Sequence, residues 1–219
     1  MALKNHVNRI TLNASILFAV LVSLFINPIS AVAMGNSNTT WPRFSDFSES
    51  VQNGKADVLR GVYVSNVLAL PVVQQPSGNA GYVSSNDAQA TQFSMASKFG
   101  NVGLLAHNYL AGKHFSQLSV GQEVRLVYGD GRVEYFVVAE ILRYQALQPN
   151  SPWSSFRSLE DGVTLTSKQM FKRVYSGDRH VTFQTCIESD GAPSWGRLFV
   201  VAVPKANFSV DDLRWGIGN

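Results

Sequence analysis

Short segments of alternating apolar and polar residues, separated by turn residues, dominate the chain after residue 57. Val58 to Val73 predicts two short strands, with a bend at Ser65-Asn66. Gln122 to Tyr128 and Val133 to Tyr144 predict a hairpin, because the intervening Gly129-Asp130-Gly131-Arg132 holds an Asp-Gly pair that supplies positive φ angles. The pattern is typical of a mainly β domain.

The stretch from Val181 to Val203 carries the most chemical information, since it holds the only cysteine of the chain. Side chains alternate along its first strand, so Cys186 falls on the polar face with Thr182 and Gln184. A structural cysteine would more often share the apolar face. After a turn-rich loop, a second strand is apolar on both faces apart from its first residue, Arg197.

These two strands predict a cysteine beside an arginine. A hairpin about Gly191 and Ala192 sets Cys186 opposite Arg197, and paired positions in an antiparallel ladder lie about 5 Å apart. A guanidinium lowers the pKa of a neighbouring thiol or donates to a developing oxyanion, and a nucleophile needs either. The alternatives are a small buried cysteine and a strand-end arginine that reaches for solvent.

Two helices are predicted. Asn86 to Lys98 has Ser85 as a cap and Gly100 as a stop. Thr166 to Val174 predicts a short helix inside the long connection from Gln145 to Arg179. A connection of this length in a compact domain is more often functional than idle.

The motifs of this region resemble those of one known family. Thr182-Phe183-Gln184-Thr185-Cys186, followed by Arg197-Leu198-Phe199-Val200, resembles the sortase signature, which is T-L-x-T-C on one strand and an arginine that opens the next. The family's histidine follows a small-residue strand, as His107 does in Leu104-Leu105-Ala106-His107-Asn108. The resemblance covers Val58 to Pro204. Phe183 replaces the usual leucine, and Ala106 replaces the glycine often found before the histidine, so no subclass is assigned.

The resemblance implies a closed, mainly antiparallel β-barrel with one or two short helices, and a cysteine transpeptidase activity. Cys186 would attack a backbone carbonyl in the C-terminal sorting signal of an exported protein. His107 would protonate the departing amine and deprotonate the incoming one, and Arg197 would hold the carbonyl oxygen. The acceptor would be an amine of a peptidoglycan precursor or a pilin lysine. With water alone, the same site would be a thiol endopeptidase.

Further substrate contacts are expected around these residues. The expected groove residues are Thr182, Gln184, Thr185 and Trp195. In sortases the connection before the cysteine strand forms a wall of the groove, so Trp153, Phe156 or Leu159 would meet substrate; the alternative is that they pack the connection onto the barrel. The remaining histidines of the domain, His114 and His180, are expected to be solvated.

Composition narrows the function classes. The 219 residues, 45% of them hydrophobic, suffice for one substantial core. Beyond residue 33, the 16 basic and 15 acidic side chains leave a net charge of +1, which gives no electrostatic case for nucleic acid. One cysteine excludes an internal disulfide. No cofactor is expected, because Cys and His do not cluster as zinc ligands. Some sortases respond to calcium through scattered carboxylates, and Glu160-Asp161 could take part in such a site; the default interpretation of this pair is a solvated loop.

The N-terminus indicates export. Residues 1–33 resemble a signal peptide, with Lys4 and Arg9 before an apolar run from Ala14 to Ile26 and an Ala31-Val32-Ala33 cleavage site. The alternative is an uncleaved membrane anchor, although such a run as a helix reaches only about 20 Å. Either way the domain is extracytoplasmic, secreted or tethered to the outer face of the membrane. Residues 34–57 are expected to be a tether, and residues 205–219 a tail with docking apolar side chains.

Two rival functions remain open at this point. An L,D-transpeptidase would carry a Ser-His-Gly run just before the cysteine, where this chain has Thr182-Phe183-Gln184-Thr185. A non-catalytic exported β-barrel that binds surface peptides would not need His107, Cys186 and Arg197, so the presence of all three argues against it.

Overall fold

The computed structural model describes residues 41–208. The signal peptide or anchor predicted for residues 1–33 lies outside the described residues, as do the polar segment from Gly35 to Thr40 and most of the tail at 205–219. Within residues 41–208, the helices are all too short or too polar to cross a bilayer.

The described residues form ten strands, three short α-helices and two 3-10 helices. The α-helices are α1 Phe44–Val51, α2 Ser94–Ser97 and α3 Ser167–Tyr175, and the 3-10 helices are Ala111–Gln117 and Lys205–Asn207. The strands are β1 Leu59–Val64, β2 Leu68–Gln74, β3 Ala90–Phe93, β4 Val102–Leu105, β5 Glu123–Tyr128, β6 Val133–Ala146, β7 Phe156–Ser158, β8 Thr164–Leu165, β9 Val181–Ser189 and β10 Ala192–Pro204.

Eight of these strands close into a barrel. Their order is β10-β9-β4-β3-β2-β1-β5-β6, and β6 pairs with β10 to complete the ring, while β7 and β8 extend the sheet from the far end of β6. Only the β2–β3 and β4–β9 pairs are parallel. The closed, mainly antiparallel barrel predicted from the sequence is confirmed.

Apolar side chains fill the inside of the barrel and cover part of its outside. Val62, Leu104, Phe183 and Val200 are fully buried in the interior cluster, and each such side chain contributes about 1.5–3 kcal/mol when it leaves water. A second cluster joins α3 to β4, β6 and β10 through residues that include Tyr175 and Phe199. On β9, the Thr182 hydroxyl donates to the Val174 carbonyl of α3. Both faces of the cysteine strand are therefore covered over most of its length.

Most predicted elements form where the alternation places them. The β5–β6 hairpin closes with Tyr128 N–H donating to the Arg132 carbonyl (2.9 Å) and with Gly131 at φ 89°. The helix predicted from Thr166 to Val174 is confirmed as α3, and the Thr166 hydroxyl caps it by accepting from the Gln169 N–H.

The helix predicted for Asn86 to Lys98 is wrong. Most of that segment is β3 with the loop before it, and only α2, of four residues, is helical. β3 fills the gap between β2 and β4, with Ala90 and Thr91 fully buried. Pairing on both sides overrides the weak helical pattern, as tertiary contacts often do.

The segment expected to be a tether, residues 34–57, contains the docked helix α1. Phe47 and Val51 are buried against Tyr63 and Val127 on the outside of the barrel. A side chain at Gly61 would lie 2.9 Å from the Phe47 ring, so this glycine lets the helix approach the strand. At least residues 44–51 are therefore part of the folded domain.

Candidate active site

The cysteine and the arginine are paired on neighbouring strands. Asp190 (φ 51°) and Gly191 (φ 75°) form the tip of the β9–β10 hairpin, with Ser189 paired to Ala192. The register shifts before Gly196, and from there Arg197 lies directly opposite Cys186. The predicted pairing is confirmed, and because paired residues share a face, both side chains leave the same side of the sheet.

The histidine reaches the same region from the other edge of β9. β4 runs parallel to β9, with Leu105 paired to Gln184. The ladder continues beyond β4, since Ala106 N–H donates to the Gln184 carbonyl (3.3 Å). If the register is extended two residues past Leu105, the position of His107 falls opposite Cys186, on the face that Cys186 shares with Arg197.

A tight turn after His107 fixes its backbone. The His107 carbonyl accepts hydrogen bonds from Leu110 N–H (3.0 Å) and Gly112 N–H (2.9 Å). A side chain at Gly112 would lie 2.3 Å from the Thr185 hydroxyl oxygen and 2.6 Å from the His107 carbonyl oxygen. Only glycine allows this close approach of the histidine loop to β9.

The His107 imidazole is half-buried beside the ring of Tyr109. Its ring stacks on Tyr109, with 5.3 Å between the centroids and 28° between the planes. Burial lowers the pKa of His107, and a hydrogen bond to the Val83 backbone offsets part of that effect. The ring is therefore neutral over more of the pH range than a free histidine.

The Cys186 side chain is 7% exposed. Burial raises its pKa, and the nearby Arg197 charge lowers it by less, so the resting thiol is protonated at neutral pH. Cys186 also borders a cavity of about 400 Å³. On β9 and β10 that cavity is lined mainly by Thr185, Ile187 and Leu198, whose side chains leave the opposite face from Cys186. The cavity thus adjoins the cysteine from the barrel side.

The rest of the cavity lining carries charge. It includes Lys113 and Arg143 as cations and Glu188 as an anion, and its other residues are Asn108, Gly112, Ser116 and Leu159. His107 and Arg197 are not among the residues that line this cavity. Leu159 and Thr185 were expected to contact substrate. Lys113, Arg143 and Glu188 carry no local signal of their place here, because distant segments of the chain bring them together.

Arg197 is held by backbone oxygens. It is 2% exposed, and its Nη1 donates to the carbonyls of Ser194 (2.9 Å) and Gly196 (2.8 Å) in the irregular segment of β10. Its Nε is buried without a hydrogen-bond partner. Among residues 41–208, none of the carboxylates forms an ion pair with Arg197. Leaving a buried donor unpaired costs about 1–3 kcal/mol, so this N–H favours an incoming acceptor atom.

Of the expected groove residues, two are tied to α3 and the connection before β9. Thr182 is fully buried and its hydroxyl donates to the Val174 carbonyl, so its assignment to the groove is wrong. Gln184 is half-buried and accepts from the Tyr175 hydroxyl. Thr185 borders the cavity but is 4% exposed, and its hydroxyl donates to the Ala106 carbonyl (2.9 Å). Trp195 is half-buried in the irregular segment of β10.

Trp153, Phe156 and Leu159 of the long connection were expected either to contact substrate or to pack the connection onto the barrel, and the three differ in exposure. Phe156 is 1% exposed and packs in the outer cluster, so for this residue the packing alternative is correct. Leu159 is 46% exposed and borders the cavity beside Cys186. Trp153 is 56% exposed.

The expectation of solvated histidines at positions 114 and 180 fails for His180. That residue is buried, with Nδ1 2.7 Å from the Asp178 carbonyl and Nε2 2.9 Å from the Val174 carbonyl, so it joins the end of α3 to the start of β9. His114 is half-buried with its ring 5.1 Å from that of Trp41, and burial lowers its pKa. Within residues 41–208, no three Cys, His, Asp or Glu side chains come close enough together to hold a metal ion.

The sequence matches no protein-family model and no curated protein sequence. Solved sortases resemble its fold. Sortase A of Listeria monocytogenes is 15% identical, with a TM-score of 0.43 over 68% of this chain and 87% of the other. A lid mutant of Streptococcus agalactiae sortase C1 is 14% identical, with a TM-score of 0.45 over 74% of this chain and 76% of the other.

Sortase C-1 of Actinomyces oris is 12% identical, with a TM-score of 0.45 over 75% of this chain and 82% of the other. All three similarities have TM-scores below 0.5. Similarity this distant leaves the reaction of the chain to be inferred from its own residues.

Proposed function

We propose that the chain is a sortase-type cysteine transpeptidase with Cys186 as nucleophile, His107 as acid and base, and Arg197 as the carbonyl-oxygen donor. The observation that carries the proposal is the pairing of Cys186 with Arg197 on a strand whose other neighbour leads directly to His107. If the register of β4 with β9 is extended two residues past Leu105, the three residue types that acyl transfer needs fall on one face.

The first half-reaction needs Cys186 as a thiolate and His107 as an imidazolium, which is the less populated protonation state of the pair. Burial raises the pKa of Cys186 and lowers the pKa of His107, so thiol and neutral imidazole predominate at rest. In the reactive state the proton has moved from sulfur to the ring. The thiolate bonds to the scissile carbonyl carbon, the C–N bond breaks, and the imidazolium gives its proton to the departing amine.

Arg197 stabilises the charge that develops on the carbonyl oxygen. Two backbone carbonyls fix its guanidinium through Nη1, which leaves Nε–H unpaired and buried. A fixed donor in a site with little water acts more strongly than one in bulk solvent, and it needs no reorganisation during the reaction.

The second half-reaction returns the enzyme to its starting state. An incoming amine bonds to the thioester carbon, its proton passes to His107, and the C–S bond breaks to restore the thiolate. The substrate is a C-terminal sorting signal of an exported protein, the acceptor is an amine of the cell wall or a pilin lysine, and the site is extracytoplasmic. Water in place of the amine gives hydrolysis.

The direct test is to trap the acyl group. The full chain is incubated with a library of peptides without an acceptor amine, quenched in acid and examined by mass spectrometry after proteolysis. We expect an acyl adduct on the peptide that contains Cys186, and its absence, together with loss of all cleavage, in Cys186→Ala. Normal turnover by Cys186→Ala would contradict the assignment of the nucleophile.

A second candidate, a non-catalytic exported barrel that binds surface peptides, is favoured by one observation. The thiol is 7% exposed, which restricts the approach of a peptide carbonyl. If this candidate is correct, library peptides bind with equal affinity to the wild-type chain and to Cys186→Ala, and no adduct forms on either.

A further inference from the structure

A hydrogen bond joins the loop that carries His107 to the segment that holds Arg197. Asn108 follows His107 in the chain, and its Nδ2 donates to the Pro193 carbonyl at 3.2 Å. A carbonyl oxygen only accepts, so the amino group and not the oxygen of the Asn108 amide faces it. The next carbonyl along the chain, that of Ser194, accepts from Arg197 Nη1 at 2.9 Å. Two successive carbonyls thus bond to the neighbour of the histidine and to the arginine.

The segment that carries these carbonyls lies outside the strand ladders of β10. β10 pairs with β9 at Ala192 and next at Gly196, where its pairing with β6 also begins. Residues 193–195 therefore fall between paired positions, and Pro193 has no N–H to donate. Side-chain donors from the histidine loop on one side and from β10 itself on the other bond to the carbonyls that the ladders leave free.

Asn108 lies inside a hydrogen-bonded turn. The His107 carbonyl accepts from the N–H groups of Leu110 and Gly112, which closes the backbone around Asn108. The Asn108 side chain is half-buried and borders the cavity next to the candidate nucleophile. Because an asparagine side chain is short and its backbone is held here, its hydrogen bond sets the separation between the histidine loop and residues 193–195.

We propose that Asn108 is a positioning residue that sets the distance between the His107 imidazole and the Arg197 guanidinium. This inference rests on the proposed function, in which His107 gives its proton to the departing amine and Arg197 holds the oxygen of the same amide bond. Both side chains must therefore reach one bond of the substrate at once, and a misplacement of about 1 Å can cost about 10²-fold in rate. The Asn108 bond ties the loop that carries one group to the segment that holds the other.

The test compares variants of the full chain that each lose one amide donor. Asn108→Leu removes the donor at nearly the same size, and Asn108→Asp keeps the shape while it replaces the donor with an acceptor that the Pro193 carbonyl repels. Gln74→Met is the matched control, because the exposed Gln74 donates from Nε2 to the Leu59 carbonyl (3.0 Å) and so joins β2 to β1 instead. Should Asn108→Leu fail to fold, Asn108→Ala removes the same group at smaller size.

The readout that does not depend on activity is the exchange of the Arg197 Nε–H with water, followed by NMR of ¹⁵N-labelled protein. This N–H is buried without a hydrogen-bond partner, and its signal is assigned from its loss in Arg197→Lys. We expect exchange about fivefold faster in Asn108→Leu and Asn108→Asp, the size of one lost hydrogen bond, because residues 193–195 open more often. Gln74→Met should exchange as the wild-type chain does. An unchanged rate in folded Asn108→Leu overturns the proposal.

A second NMR signal reports on the loop side of the bond. The ring signals of His107, assigned from their loss in His107→Gln, should shift in Asn108→Leu and keep their positions in Gln74→Met. If only the Arg197 signal changes, Asn108 supports the hairpin alone, and its role in placing His107 is overturned.

Activity separates this inference from the proposed function. With a cleavable peptide, Asn108→Leu should lose kcat on the order of tenfold at unchanged KM, while Gln74→Met keeps both constants. A rise in KM at unchanged kcat would mean that Asn108, which borders the cavity, contacts the substrate itself, and would overturn the proposal. If the wild-type chain forms no acyl adduct while both NMR changes occur, the enzyme proposal fails and the link between loop and hairpin stands. If the wild-type chain is active and both NMR signals are unchanged, the reverse holds.

Discussion

The two sides of the candidate site are held by different kinds of structure. Cys186 and Arg197 lie within a continuous ladder in which β10 is paired on both edges, by β9 and by β6. His107 lies beyond the last residue of β4, in a loop held by hydrogen bonds to its carbonyl and by the close approach of Gly112. Substitutions on the hairpin side should therefore remove a reacting group, the thiol or the guanidinium. Substitutions on the loop side should instead displace the His107 imidazole while leaving it intact.

The largest effect is expected from Arg197→Lys on the hairpin side. The three N–H groups of an ammonium leave from one nitrogen, so a lysine that bonds to the Ser194 and Gly196 carbonyls has no second nitrogen to place an N–H where Nε lies. We expect kcat/KM to fall about 10²–10³-fold, as for loss of an oxyanion donor, with thermal unfolding followed by circular dichroism as the control for folding. Near-normal turnover in a folded Lys variant would show that the guanidinium has no part in the reaction.

The corresponding change on the loop side is Gly112→Ala. The new methyl group would meet the Thr185 hydroxyl and the His107 carbonyl, so the loop must shift. We expect a loss of kcat/KM on the order of 10²-fold, since a misplacement of about 1 Å costs that much.

Gly121→Ala is the matched control for that change. Gly121 has a positive φ of 91° and open space around it, so the replacement strains the backbone without touching the histidine loop. Its activity per folded molecule should equal that of the wild-type chain. Equal losses in the two glycine variants would mean that the Gly112 effect is one of stability rather than of His107 placement.

The smallest effect is expected from Leu159→Ala, at the cavity that adjoins the cysteine. Leu159 is about half exposed, and its truncation removes part of one apolar wall. We expect KM to rise by about threefold with kcat unchanged, from the lost apolar contact. Val163→Ala removes an exposed side chain of the same connection that does not border the cavity, and an equal rise in KM there would exclude a specific contact at Leu159.

The hairpin side could be predicted from the sequence because its information is local. Alternation placed Cys186 on the face of Thr182 and Gln184, and a regular hairpin about Gly191 and Ala192 predicted its pairing with Arg197. The structure reaches the same pairing by another route, a turn at Asp190 and Gly191 followed by a register shift before Gly196. The hairpin of β5 and β6 and the capped helix α3 follow from equally local signals. Each depends on neighbours within a few residues along the chain.

The loop side could not be predicted in this way. The parallel pairing of β4 with β9, and that of β3 with β2, joins distant segments, so β3 was taken for part of a helix. The burial of Thr182 and His180 depends on where α3 packs, and the need for glycine at position 112 depends on a side chain 73 positions away, at Thr185. Alternation along one strand carries no information about such contacts.

The alkylation rate of Cys186 as a function of pH tests most directly whether His107 and Cys186 form one unit. The wild-type chain and His107→Gln are treated with a small thiol reagent from acidic to alkaline pH. We predict two steps in the wild-type profile, one below the ordinary pKa of histidine and one above that of a free thiol, with macroscopic values that belong to the pair. His107→Gln should keep only the alkaline step. Identical profiles in the two proteins would contradict the proposed site.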